Sequence, residues 1–253
     1  EEGCLTVGCA GGKDTTGIWK LEPQQAPATT TAVQVVAKGL KGGHSGLEIN
    51  KGHGNALKIL NRVLVPLTRL GGRVASINGG NKHNAIPREA EAILYAPEKS
   101  LEQAKATLEK LTATLKAEIA TVDPDLSVAM TVLKARKGKV FKPTLQKKVL
   151  QTITAMPHGV IKMSADIPGL VETSTNLAIV RTSKKEIQIV TSQRSSVASE
   201  IAEIADTVRT IFEMGGAEVK GGVGYPGWRP NMSSEILQIA KSTHQSLCGK
   251  EPE

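Results

Sequence analysis

Helical and strand-like periodicities follow one another along this chain in a set order, and that order restricts the fold more than any other feature. Val33, Val35 and Ala37 alternate as in a strand. Ala56, Ile59, Leu60, Val63, Leu67 and Leu70 then share one helical face, and Gly71-Gly72 stops the helix. Val74 to Ile77 and Ala92 to Tyr95 read as strands on either side of a Gly79-Gly80 turn. Ser100 with Gln103 has the form of a capping box for a second helix carrying Leu101, Ala104, Leu108, Leu111, Leu115 and Ile119. After the Asp123-Pro124-Asp125 break, Leu126, Val128, Met130 and Val132 alternate again. The order strand–helix–strand–strand–helix–strand predicts an α+β fold, a ferredoxin-like βαββαβ domain with both helices on one face of an antiparallel sheet.

The rest of the chain partly repeats this plan. A helix is expected near Leu145 to Ile153, strands near 176–181 and 186–191, and a helix carrying Val197, Ile201, Ile204, Val208 and Ile211. That helix also ends at a glycine pair, Gly215-Gly216, before a strand-like run from Ala217 to Lys220. A partial internal duplication is the expectation. Residues 1–32, with Glu22-Pro23-Gln24-Gln25-Ala26-Pro27 and a threonine run, suit an extended connection between domains. From Gly221 the Gly-Tyr-Pro-Gly-Trp stretch reads as a second crossing, back to whatever residues 1–32 belong to. The chain opens Glu1-Glu2-Gly3-Cys4 without Met and closes just after a helix-like segment, so both ends look like cuts through a longer protein.

Composition narrows the function classes. With 253 residues, 40% of them hydrophobic, the chain can bury a sizeable core, but only six are aromatic (Trp 2, Tyr 2, Phe 2). The core must therefore be aliphatic, and modules that stack bases on aromatic platforms are disfavoured. The net charge of +8 comes from scattered lysines. The densest cluster, from Lys134 to Lys139, reads as a solvated turn, so no nucleic-acid partner is expected. No apolar run approaches the ~20 residues of a membrane helix, and no membrane partner is expected. Three cysteines (Cys4, Cys9, Cys248) are too few for a disulfide scaffold, which makes a reducing cytoplasm the default.

Three residues stand where chemistry is plausible. His44, in Lys41-Gly42-Gly43-His44-Ser45-Gly46, projects from a glycine-rich loop between a strand and a helix. Its imidazole suits a polarised carbonyl oxygen or an oxyanion; the plain alternative is a surface histidine bonded to Ser45. Asn84 follows a glycine-paired turn and offers a donor and an acceptor to an amide ligand, or simply bonds its own backbone. Arg194 ends a strand just before a helix, where a guanidinium can clamp a carboxylate or form a surface ion pair. His53 and His83 are expected to face solvent, and His158 and His244 to be incidental. Cys4 and Cys9 lack a second pair, and no His-Glu-x-x-His or phosphate-loop fingerprint exists, so no metal is expected on this chain.

Several segments together resemble the aminoacyl-histidine dipeptidases, co-catalytic zinc peptidases in the group that also holds carboxypeptidase G and the aminoacylases. They are Glu2-Gly3 through Gly8-Cys9-Ala10-Gly11-Gly12, the Gly39 to Gly46 loop, Asn78-Gly79-Gly80 and Asn84-Ala85-Ile86-Pro87-Arg88-Glu89-Ala90. Val171-Glu172-Thr173-Ser174 with Asn176-Leu177, Arg194-Ser195 and Tyr225-Pro226-Gly227-Trp228 continue the match in order. The resemblance implies a hydrolase, a dipeptidase cleaving Xaa-His dipeptides by metal-activated water on two zinc ions. It implies that residues 33–221 are an inserted lid that mediates homodimerisation, flanked by catalytic-domain fragments at 1–32 and 222–253. In related dimers the lid histidine reaches into the partner's active site; His44 matches it as the oxyanion stabiliser. Asn84 matches a substrate-contacting asparagine, and Arg194 the arginine that holds the terminal carboxylate. The family's zinc ligands fall outside the chain, and Glu1-Glu2 matches the segment after an Asp ligand rather than the catalytic glutamate pair. The chain alone is therefore expected to be inactive. The competing reading is a non-catalytic dimerisation or small-ligand-binding regulatory module.

Overall fold

The computed structural model describes residues 3–134 and 138–252; Glu1-Glu2 and residues 135–137 of the basic Lys134 to Lys139 cluster lie outside the described residues. Nine strands form one sheet: β1 (Gly11–Lys20), β2 (Thr30–Lys38), β3 (Arg73–Gly79), β4 (Ala90–Pro97), β5 (Ser127–Val132), β6 (Gly159–Met163), β7 (Val171–Thr182), β8 (Glu186–Ser195) and β9 (Glu218–Gly221). Five helices accompany them: α1 (Ala56–Arg69), α2 (Leu101–Ile119), α3 (Pro143–Ala155), α4 (Ala198–Met214) and α5 (Glu235–Cys248). The strand order is β9-β1-β8-β7-β3-β4-β2-β5, with β6 beside the first half of β7.

This order contains one pattern twice. In β2-α1-β3-β4-α2-β5 the strands lie fourth, first, third, second across the sheet, all neighbours antiparallel. In β1-α3-β7-β8-α4-β9 they lie in the same fourth-first-third-second order. The first unit is thus inserted between the first strand and first helix of the second. The two halves meet where β3 touches β7, through the pair Val180 and Gly79. β1 lies in the stretch expected to be a connection, and the reason it escapes a period-2 reading is chemical. Its core-facing residues are Gly11, Thr15, Gly17 and Trp19, of which only Trp19 is apolar and large. Gly17 lies against the Phe212 ring, and Phe212 meets Trp19 edge-on at 5.9 Å between centroids.

Helices α1 to α4 share one face of the sheet: α1 packs on α2 and α3, and α3 on α4. Leu57, Leu60, Leu64 and Leu67 of α1 are buried, each contributing roughly 1.5–3 kcal/mol on removal from water. Both glycine stops form, with Gly71 at φ +92 and Gly216 at φ +73. The capping box does not: Ser100 closes a 3-10 turn (Glu98–Ser100) at ψ 2, short of the extended conformation a cap needs, and its side chain makes no cap bond. The crossing expected after Gly221 is present as Tyr225 pairing with Gly12 and Trp228 with Cys9. Among the described residues no helix is long and apolar enough to cross a membrane.

Candidate functional site

The site lies on the face of the sheet opposite α1 to α4. Alternation along β8 sends Ile187 and Ile189 to the core, and so turns Arg194 to the other side. The loop between β2 and α1 folds over this face and is held there by a short antiparallel pair, Gly43–His44 with Ala85–Ile86. Asn176, on the same face of β7, donates to the carbonyl of Ala85 at 2.8 Å and so pins that pair to the sheet. A groove of about 760 Å³ runs beside the loop, lined among others by His44, Asn78, Asn84 and Glu91.

The three candidates are neighbours. His44 and Arg194 stand on either side of Gly46: a Cβ there would lie 3.1 Å from His44 Cε1 and 3.3 Å from Arg194 Cζ. The Ser45 N–H donates to the Asn84 carbonyl at 2.9 Å, which places Asn84 directly beside the histidine loop. All three side chains are half-buried.

Local bonds orient them. The Gly46 N–H donates to His44 Nδ1 at 3.2 Å, so in the neutral ring the proton sits on Nε2, free to donate outward. The His44 N–H donates to Glu48 Oε2 at 2.8 Å; that N–H and the Lys51 ammonium hold the Glu48 carboxyl below the usual carboxylate range. Arg194 donates through Nη1 to the Tyr225 hydroxyl at 2.8 Å, while its buried Nε has no partner among the described residues. A guanidinium anchored in this way has the chemistry to meet a carboxylate.

Several contributors had no role in the sequence reading. Tyr225, Asn176 and Glu48 each fix a candidate residue, and Asp14 of β1 pairs with His83 at 2.8 Å. Tyr225 had a weak signal, as one of the chain's six aromatics and part of a Gly-Tyr-Pro-Gly-Trp stretch; Glu48 acts on His44 from within the same loop, and Asn176 and Asp14 act across long sequence separations that no local pattern records. Two histidine expectations are corrected. His53 is not solvent-facing: its side chain is 11% exposed, beside Asp123. His158 is not incidental, since it packs against Asn55 at 3.3 Å, and burial, with the Lys58 ammonium nearby, pushes its imidazole down to about 4. Among the described residues no three His, Cys, Asp or Glu side chains gather as a metal site requires.

Comparison with known proteins agrees with this architecture. Residues 35–123 match the model of a peptidase dimerisation domain. The whole chain is 32% identical to the cytosol non-specific dipeptidase of Escherichia coli (strain K12), covering 52% of it. It superposes on the crystal structure of aminoacylhistidine dipeptidase from Vibrio alginolyticus with a TM-score of 0.94 at 31% identity, covering 100% of this chain and 51% of that one. The chain thus spans about half the length of these relatives. The resemblance to the aminoacyl-histidine dipeptidases holds along the full chain, and residues 35–123 are similar to a peptidase dimerisation domain.

Proposed function

We propose that this chain is the lid and dimerisation part of a dipeptidase, and that His44, Asn84 and Arg194 grip the peptide being cleaved. The observation that carries this reading is the convergence of His44 and Arg194 on Gly46, with Asn84 bonded to the same loop. Because the three form one patch, they act on one and the same peptide. The Nε2–H of His44 faces the scissile carbonyl and stabilises the oxyanion as it forms. Arg194 takes the terminal carboxylate, and Asn84 positions the peptide backbone.

The finer features of the reading extend the resemblance. The lid is two ferredoxin-like units, and the sheet supports a boundary that takes in β1, so the lid runs from Gly11 to Gly221. Xaa-His dipeptides are the substrates, the protein is a cytoplasmic homodimer paired through the lid, and two zinc ions serve the whole enzyme. The described residues offer no donor set for those ions, so this chain's contribution is to bind and orient substrate, and by itself it is inactive.

The test is steady-state hydrolysis of β-alanyl-histidine and glycyl-histidine by the full-length protein. His44→Ala is expected to cut turnover by ~10²–10³, the usual cost of losing one oxyanion donor; near-normal turnover overturns the assignment. Arg194→Ala is expected to raise KM and to abolish discrimination between free and blocked C-termini. A full-length protein that pairs but hydrolyses neither dipeptide would instead favour a non-catalytic dimerisation module, which the match to a dimerisation domain also accommodates.

A further inference from the structure

The loop that carries His44 leaves β2 after Lys38 and enters α1 at Ala56. Its two stems meet at a single carboxylate. Asp123, in the turn between α2 and β5, is 1% exposed. Its Oδ1 accepts the Lys41 N–H at 2.7 Å, and its Oδ2 accepts the Gly54 N–H at 2.7 Å. These partners lie 82 and 69 residues away in sequence. An Asp that merely closed its own turn would bond the backbone two or three residues on. Burying a carboxylate is costly unless it is hydrogen-bonded, and here both oxygens are committed to backbone donors of the histidine loop. His53, at 3.7 Å from Oδ2, is too far to compete for that oxygen.

We propose that Asp123 is a positioning residue for His44. Its carboxylate fixes the separation of Lys41 and Gly54, and thereby the frame in which the loop presents its imidazole. Within that frame the Gly43–His44 strand and the Glu48 carboxylate hold the histidine backbone itself. Two charge-assisted bonds from one rigid group set a distance, which a single bond does not. The proposal rests on the reading of His44 as the oxyanion donor.

The experiment is a kinetic double-mutant cycle in the full-length enzyme, with amide hydrogen exchange on the same proteins. Asp123→Asn keeps size and burial but turns an NH₂ group toward one backbone N–H. It is expected to lower kcat at least tenfold, with KM changed less than about twofold, because misplacement of a catalytic group by about 1 Å costs ~10² in rate. The Lys41 and Gly54 amides should exchange faster, while those of β8 around Arg194 stay protected. In a His44→Ala background the same substitution should change kcat by less than about twofold, since the group it positions is gone. If Asp123→Asn does not fold, Lys41→Pro deletes one donor and leaves the carboxylate its other partner, with Lys41→Ala as the control that keeps the N–H. A wild-type kcat in Asp123→Asn, or an equal loss with and without His44, overturns the clamp. Normal turnover in His44→Ala alone overturns instead the reading on which the clamp rests.

Discussion

Gly46→Ala places a single methyl carbon against both His44 and Arg194. That carbon would stand 3.1 Å from His44 Cε1 and 3.3 Å from Arg194 Cζ and Nη1. Relaxed carbon contacts lie at ~3.5–4.0 Å, so the neighbours must yield by about 0.4 Å or more on the histidine side. Neither is free to do so without loss. The imidazole is tied through Nδ1 to the Gly46 N–H at 3.2 Å, and the guanidinium through Nη1 to the Tyr225 hydroxyl at 2.8 Å. Turning a ring off its rotamer costs ~0.5–1.5 kcal/mol. A displacement of about 1 Å costs ~10² in rate, so a shift of about half that corresponds to roughly tenfold, or ~1.4 kcal/mol of transition-state stabilisation. Global stability should hardly change, because Gly46 is exposed and Ala restricts the unfolded chain by an offsetting ~0.4–1 kcal/mol. The assay is kcat and KM for glycyl-histidine beside a thermal melt of the same full-length variant. A lowered kcat reports the histidine and a raised KM the arginine. A folded Gly46→Ala with both parameters at wild-type values would refute the requirement for the present spacing of His44 and Arg194.

Further outcomes test other parts of the structure. Tyr225→Phe keeps the ring and removes the acceptor for Arg194 Nη1; KM for dipeptides should rise several-fold, on the order of 0.5–1.5 kcal/mol, with kcat near wild type, and a kcat effect larger than the KM effect would count against the anchoring role. Phe212→Ala empties the site between Trp19 and Gly17 and should cost ~3–5 kcal/mol in a urea melt; a loss below about 1 kcal/mol would contradict β1 as a core strand. His158 has its folded-state imidazole depressed to about 4, so the unfolded chain takes up that proton first as pH falls. The stability it contributes is complete above the unfolded value near 6.5 and is lost towards pH 4, by up to about 3 kcal/mol. His158→Gln should flatten the melting temperature over that window, and an unchanged slope would remove His158 as its source.

The elements legible in the sequence are those whose burial leaves a periodic trace. α1 shows its face because Leu57, Leu60, Leu64 and Leu67 all enter the core, and the alternation of Val33, Val35 and Ala37 marks β2 for the same reason. β1 left no such trace: Gly11, Thr15 and Gly17 fill most of its inner face, and what makes it a strand is its pairing with β8 and β9, more than one hundred and fifty positions away. The capping box at Ser100 read correctly as a helix start and wrongly as a cap, because a 3-10 turn takes over the preceding residues.

The candidate site divides in the same way. The family resemblance singles out His44, Asn84 and Arg194; residue type and glycine-rich context alone leave each with a plain structural alternative. Their partners Asp123, Asn176, Glu48 and Tyr225 act by meeting backbone or side-chain groups at one distance and angle, and that is a property of the folded sheet. Periodicity and turn chemistry are local, so the linear chain made α1 to α4, β2 to β5 and β7 to β9 legible and, with the resemblance, pointed to three side chains. Pairing and register are long-range, so only the tertiary structure decided that one unit interrupts the other, that β1 completes the sheet, and that Gly46 brings the imidazole and the guanidinium together.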